Sequence, residues 1–280
     1  MPLKLMYITN RPDVAVVAQN SGVDRIFIDF EYIGKEERQA GLNTVKKFHT
    51  VEDVKAVRKV LDKSELLVRV NPIHEASKDW CDSKEEIDEV VEAGADVIML
   101  PMAKTPYEIE RFVEYVDGRA KTLFLLETAE ANENVYSMLD VGGIDQVHIG
   151  LNDLHLAYKK NFMFELLCDG TVERLCDIIK GYNIPFGIGG IAKLGGGLLP
   201  AEYIIAEHYR LGSTAAILSR SFCDIDDDMK IEAIEKSFKK EVAKIREFEK
   251  AAARFTKEEF DSNRKITTRL INIISENIGR

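Results

Sequence analysis

The chain has 280 residues, 45% of them hydrophobic and 31% charged, and a formal net charge of −10. That composition describes a globular protein with enough apolar side chains for a large core. The acidic balance argues against a general nucleic-acid binder and leaves small molecules or protein subunits as partners.

Short apolar runs alternate with helical patterns along most of the chain. In order, the runs predict strands at 5–9, 25–30, 66–70, 97–101, 123–127, 147–151, 186–190 and 215–219. Amphipathic stretches at 51–61, 84–93, 107–116 and 201–211 predict helices between them. Ser21-Gly22, Ala93-Gly94, Asp117-Gly118, Gly142-Gly143 and Leu211-Gly212 supply helix stops before the following strands. Eight strands separated by helices favour a (β/α)8 TIM barrel over an open doubly wound sheet.

The barrel domain is expected over 1–225, and 226–280 reads as a C-terminal helical extension. Within it, Ile231, Ile234, Phe238, Val242, Ile245 and Phe248 recur near helical spacing. Such a helix packs on the barrel or on a neighbouring subunit, and the surplus length suggests a homo-oligomer. The residues from Phe255 onward continue the extension or fray.

No apolar stretch approaches the roughly 20 residues of a membrane helix. The amino-terminal residues lack the apolar region and cleavage site of a signal peptide. Cys81, Cys168, Cys176 and Cys223 show no CxxC spacing. Reduced thiols in a cytoplasmic protein follow.

The residues that carry chemistry fall at predicted strand ends. Glu127 closes the apolar run Thr122-Leu123-Phe124-Leu125-Leu126, and Asp153 follows Val147-His148-Ile149-Gly150-Leu151-Asn152. In a parallel barrel that end of each strand faces the active site. Two hard oxygen ligands suit Mg²⁺ or Mn²⁺ and leave positions for water and substrate. The alternative is a pair of N-cap or surface carboxylates.

Arg69 sits at the end of a third strand, where a buried guanidinium must find anions. Its planar fork suits a substrate carboxylate or an enolate oxygen. A structural ion pair with Asp29 or Glu31 is the alternative. Asp29 and Glu31 share one face of the second strand, with Phe30 on the other. They would orient Arg69, assist proton transfer, or simply support the barrel mouth. An anion clamp beside a metal site suits chemistry on an α-keto acid.

The glycines of Gly187-Ile188-Gly189-Gly190 and Gly195-Gly196-Gly197 would let a substrate approach the backbone, or merely make tight turns. His148 falls within a strand and reads as packed. His49, His74 and His155 fall in predicted loops near the rim and are weak proton-transfer candidates. Lys104 is the lysine a Schiff-base route would use, although that route would leave both carboxylates idle.

With these residues in view, the chain resembles the HpcH/HpaI aldolase and citrate lyase β-subunit family over about residues 5 to 225. The carriers are Ile28-Asp29-Phe30-Glu31, Arg69-Val70-Asn71-Pro72, Gly94-Ala95-Asp96-Val97-Ile98-Met99-Leu100-Pro101, Leu126-Glu127-Thr128 and Ile149-Gly150-Leu151-Asn152-Asp153-Leu154. The resemblance implies a metal-dependent carbon–carbon lyase acting beside a keto acid such as pyruvate, with an aldehyde or acyl co-substrate. It implies a metal on Glu127 and Asp153, and substrate on Arg69, Pro101, Gly150, Leu151 and Asn152. It also implies oligomers that pack or exchange C-terminal helices. Relatives acting on hydroxy-keto diacids commonly carry a His just after the second-strand acid, and this chain has Tyr32 there. Tyr is a poor base near neutral pH. The base is then elsewhere, at His49 or a metal-bound water, or the substrate differs, or the barrel binds keto acids without turning them over.

Overall fold

The computed structural model describes residues 1–34, 49–219, 222–223 and 229–279. Eight parallel strands close a barrel in sequence order. They are β1 (Lys4–Ile8), β2 (Arg25–Asp29), β3 (Glu65–Arg69), β4 (Val97–Leu100), β5 (Lys121–Leu126), β6 (Gln146–Ile149), β7 (Phe186–Ile191) and β8 (Ala215–Leu218). Closure comes from β8 pairing with β1 through Lys4↔Ala215 and Met6↔Ile217.

Helices cover the outside. Those between strands are α1 (Pro12–Asn20), α2 (Val51–Arg58), α3 (Ser83–Glu92), α4 (Pro106–Val116), α5 (Ala129–Glu133), α6 (Val135–Asp140), α7 (Leu151–Ala157), α8 (Glu165–Cys168), α9 (Thr171–Gly181) and α10 (Ala201–Leu211). After the barrel come α11 (Ile231–Ala252) and α12 (Lys257–Ile278). Among the described residues no helix is long and apolar enough to cross a membrane, and the four cysteines form no disulfide.

Strand alternation separates two apolar layers. Met6, Phe27, Leu67, Val97, Met99, Leu123, Leu125 and Ala215 fill the barrel. The residues between them, such as Leu5, Ile26, Leu66, Ile98 and Phe124, join the core under the helices. The same parity sends Asp29, Arg69 and Glu127 inward at the carboxyl end.

At the amino end the barrel is closed by charge. Arg25 is fully buried and donates to Glu65 Oε2 at 2.6 Å and to Gln146 Oε1 at 3.0 Å. Lys121 and Lys4 reach the same Glu65 at 2.5 and 3.4 Å. Burial alone would raise the Glu65 carboxyl, but hydrogen bonds from Lys121 and Arg25 hold it down at about 2.

One boundary that bears on the site differs from the one the apolar runs predict. β6 stops at Ile149 because Gly150 is already the N-cap of α7, so Asp153 stands in the first helical turn, beyond the strand end. The glycine run 187–190 lies inside β7, where the pairing with β8 shifts register between Gly187 and Gly190. The expected domain boundary at 225/226 falls outside the described residues.

The extension consists of two helices, the second continuous to Ile278. α11 buries Ile234, Phe238, Val242 and Ile245 and packs on α1 and α10, while α12 packs on α10 and α8. Charge fastens both. Buried Glu249 accepts from the Leu3 backbone N–H at 2.6 Å, and Arg246 donates to Leu3 O and Asp24 Oδ2, both at 2.7 Å. Arg264 meets Glu173 at 2.6 Å, which Arg210 also engages at 2.8 Å.

Replacing Glu249 with Ala leaves the buried Leu3 N–H without its acceptor. Such a loss costs about 1–3 kcal/mol, so the urea midpoint should fall. An unchanged midpoint would show that the Glu249–Leu3 contact contributes nothing to holding β1.

Candidate active site

The mouth of the barrel is organised around Arg69. Asp29 and Arg69 are register partners on β2 and β3. The guanidinium grips Asp29 in bidentate fashion, Nε to Oδ1 and Nη2 to Oδ2, each at 2.8 Å. Nη1 meets Glu31 Oε2 at 3.0 Å, and Cζ lies 5.6 Å above the Phe27 ring. Burial alone would depress the Arg69 pKa, but the Asp29 and Glu31 carboxylates hold it well above its ordinary value. Among the described residues these contacts engage three of its five N–H donors, which leaves capacity for a ligand. The ion pair named as the alternative role of Arg69 is therefore present, and it leaves this binding capacity intact.

Glu127 follows β5 directly and is 3% exposed, which decides its electrostatics. Burial raises its carboxyl pKa well above the usual range; Arg69 opposes this, and the Asp153 and Glu31 charges add to it. Its Oε1 accepts a hydrogen bond from the Met102 backbone N–H at 3.1 Å. Met102 holds φ at +55°, a left-handed conformation uncommon for a Met. Sequence reasoning missed this residue, since nothing but the adjacent Pro101 marks the turn.

Gly150 is required by Glu127. A Cβ at Gly150 would stand 2.7 Å from Glu127 Cβ and 2.9 Å from its Oε2. Leu151 is buried and occupies the space over Gly189, where a Cβ would lie 2.8 Å from Leu151 Cδ1. The β7 glycines are thus used for packing, against Leu151 and against His148. Asn152 is exposed and Pro101 buried.

The remaining candidates are placed as follows. The Tyr32 hydroxyl lies 3.0 Å from the carbonyls of Asp29 and of His49 and accepts from the His49 N–H. Burial pushes its pKa up to about 12, which disfavours the phenolate that a base would need. His49 Nδ1 accepts from the Asp29 N–H at 3.0 Å. His74 braces its own loop by contacts to Pro72 O and Cys81 O at 2.7 and 2.9 Å. His155 is not in a loop: it belongs to α7, because that helix starts directly after Gly150, and its ring contacts the Leu151 and Asn152 carbonyls. Lys104 is 53% exposed and pairs with Glu130 at 3.4 Å. It lacks the burial that activates a Schiff-base lysine.

His148 lies inside the barrel, as its strand position predicts, with Nε2 3.0 Å from Gly189 O. Burial pulls its pKa down to about 4, and that of buried His208 on α10 to about 3.

The HpcH/HpaI aldolase/citrate lyase family model matches residues 4–162. The chain belongs to this family. Among solved structures it is similar to the HpcH/HpaI aldolase from Desulfitobacterium hafniense DCB-2, with TM-score 0.59 and 14% identity over 88% of this chain and 93% of that one. A HpcH/HpaI aldolase/citrate lyase family protein from Burkholderia cenocepacia J2315 gives TM-score 0.60 and 14% identity over 88% and 95%. At that identity the likeness shows the fold. No curated protein matches the sequence. Family and fold together support an aldolase or lyase.

The family is generally divalent-metal dependent, and the residues present fit such an ion. Glu127 is a hard oxygen donor whose charge is disfavoured by burial and by the nearby Asp153 and Glu31. A cation would relieve that repulsion. Among the described residues no group of three or more His, Cys, Asp or Glu side chains forms a metal site. Glu127 and Asp153, near enough for their charges to interact, would be the residues to hold the ion, with water or substrate completing its shell.

Gly150→Ala should displace Glu127 and cost about 1–3 kcal/mol by overpacking. Mn²⁺ affinity, measured by calorimetry, should fall together with stability; affinity equal to that of the parent would refute the coupling. A second expectation concerns acid. The imidazoles of His148 and His208 have folded pKa values below the unfolded value of about 6.5, so the unfolded state binds more protons below that pH. Their stabilisation is complete above a pH of about 6.5 and is lost as the pH falls toward the folded values, each imidazole contributing a slope of about 1.4 kcal/mol per pH unit. The urea midpoint should drop between about pH 7 and pH 5, and His208→Gln should flatten part of that slope. Equal slopes in both proteins would contradict the assignment.

Proposed function

We propose that the protein is a Mg²⁺- or Mn²⁺-dependent aldolase or lyase that makes or breaks a carbon–carbon bond beside an α-keto acid such as pyruvate. The observation that carries this reading is the convergence of buried Glu127 with the Arg69–Asp29–Glu31 clamp at the barrel mouth. A metal held by Glu127 and Asp153 would supply Lewis-acid polarisation of the keto group.

The chain's own residues account for the other requirements. The remaining Arg69 donors bind the substrate carboxylate and the oxygen on which charge develops. Asp29 has Oδ1 engaged by Arg69 Nε and the Glu31 N–H, and Oδ2 by Arg69 Nη2. It acts to fix the guanidinium plane. Glu31 is then the better candidate for moving a proton. The Met102 N–H fixes one Glu127 oxygen, and the backbone at Pro101 and from Gly150 to Asn152 lines the same end of the barrel. Tyr32 contributes no base. A cytoplasmic homo-oligomer remains part of this reading, on composition and family grounds.

Proton–deuterium exchange at the pyruvate methyl group, followed by NMR with Mg²⁺ or Mn²⁺ and with chelator, tests the proposal. Exchange should require metal, and Arg69→Lys should slow it about 10- to 100-fold through loss of the bidentate fork. Glu127→Gln should abolish it. Removing a buried carboxyl whose charge is disfavoured should also raise the Tm of the metal-free protein by a few degrees, since about 1 kcal/mol shifts Tm by roughly 2–4 °C at this size. Full exchange in Glu127→Gln would refute the metal assignment. Pyruvate binding without exchange in the parent would leave a keto-acid-binding protein.

A further inference from the structure

The position where hydroxy-keto-diacid relatives carry a His holds Tyr32, whose hydroxyl is directed inward to the Asp29 and His49 carbonyls. Against its ring lies Trp80, the chain's only tryptophan, stacked at 6.0 Å between centroids with 23° between planes. Trp80 is 40% exposed. Single exposed apolar residues are ordinary, but this one belongs to a pair assembled on the catalytic rim. Tyr32 directly follows Glu31, which meets Arg69 at 3.0 Å.

Hydrogen bonds fix the backbone that carries each ring. The Tyr32 and Ile33 N–H groups donate to Asn71 Oδ1 at 2.8 and 2.9 Å, and Asn71 is held by Glu86 at 3.1 and 2.7 Å. On the other side Ser77 N donates to Trp80 O at 2.8 Å, and Trp80 N to Ser77 Oγ at 3.2 Å. A surface ordered in advance loses little entropy when a ligand arrives. The loop that carries Trp80 is acidic in sequence: outside the buried Glu86 it holds Glu75, Asp79, Asp82 and Glu85 against Lys78 and Lys84.

We propose that the stacked Tyr32–Trp80 pair is the seat of the co-substrate, and that it selects an uncharged aromatic aldehyde. The flat indole face rewards a ring, the acidic loop repels an anionic aldehyde, and the Arg69 clamp beside it takes the keto acid's carboxylate. The inference rests on the lyase reading for the role of the seat, while the ring-binding surface is defined by its own geometry.

Saturation-transfer NMR with benzaldehyde, propionaldehyde and glyoxylate tests it on the full chain. Benzaldehyde ring protons should receive saturation that Trp80→Ala weakens, whereas any glyoxylate signal should be unchanged by that substitution. Trp80→Ala should weaken benzaldehyde binding about 2- to 10-fold, the value of one aromatic stack, and lower its kcat/KM relative to propionaldehyde by the same factor. Trp80→Phe should restore most of the preference. Trp80 emission gives a second measure without any substitution, and should respond to benzaldehyde but not to propionaldehyde. Equal benzaldehyde binding in all three proteins, or emission indifferent to it, overturns the proposal. Pyruvate exchange on the same samples separates the two readings: exchange without ring saturation refutes the aromatic seat alone. Ring saturation without exchange upholds the aromatic site and refutes the lyase alone.

Discussion

A guanidinium at the mouth of a closed barrel cannot remain charged without close anions, and much of this site follows from that requirement. Arg69 projects inward from the end of β3 because strand parity sends it there. Its register partner on β2 must then be an acid able to take a bidentate fork, and Asp29 is that residue. Two residues on, Glu31 returns to the same side and closes the third contact. With Arg69 compensated on one side, a further buried acid, Glu127, is tolerated on the other, though its charge remains disfavoured. That residual strain is what a bound cation would remove. The carboxylates are thus in unequal settings: Asp29 is gripped by the guanidinium, and Glu127 keeps a charge that burial disfavours.

Much of the architecture was legible because strand runs and helix stops alternate so regularly in the chain. All eight strands lie where the apolar runs place them, give or take a residue or two at the ends. The exception that matters is the end of β6. Gly150 reads equally well as a strand residue or a helix cap, and in the structure it is the cap. Asp29, Glu31, Arg69 and Glu127 were legible because polar residues closing apolar runs stand out. Met102 was not, since its contribution is a backbone N–H turned by an unusual φ, and no side-chain pattern encodes that. The glycines of β7 suggested a substrate cradle, yet two of them are taken up by the side chains of His148 and Leu151. Glycine reports a close approach without saying what approaches. The Tyr32–Trp80 pair joins residues 48 positions apart on two loops, a separation that periodicity does not span.

The helical extension supports the same site from behind. Glu249 and Arg246 fasten α11 to Leu3 and Asp24, the residues that immediately precede β1 and β2. β2 carries Asp29 at its other end, so the far helix and the clamp share one strand. Stability at the back of the barrel is therefore also precision at the front.

The charged plug of Arg25, Glu65, Gln146, Lys4 and Lys121 has a kinetic consequence. The plug closes the amino end and side chains fill the interior, so a ligand seated against Arg69 and Glu127 would enter and leave by the carboxyl-end mouth. On the proposed lyase reading, a second reactant at the rim would stand in its path. Binding would then be ordered, with the inner ligand first to arrive and last to leave.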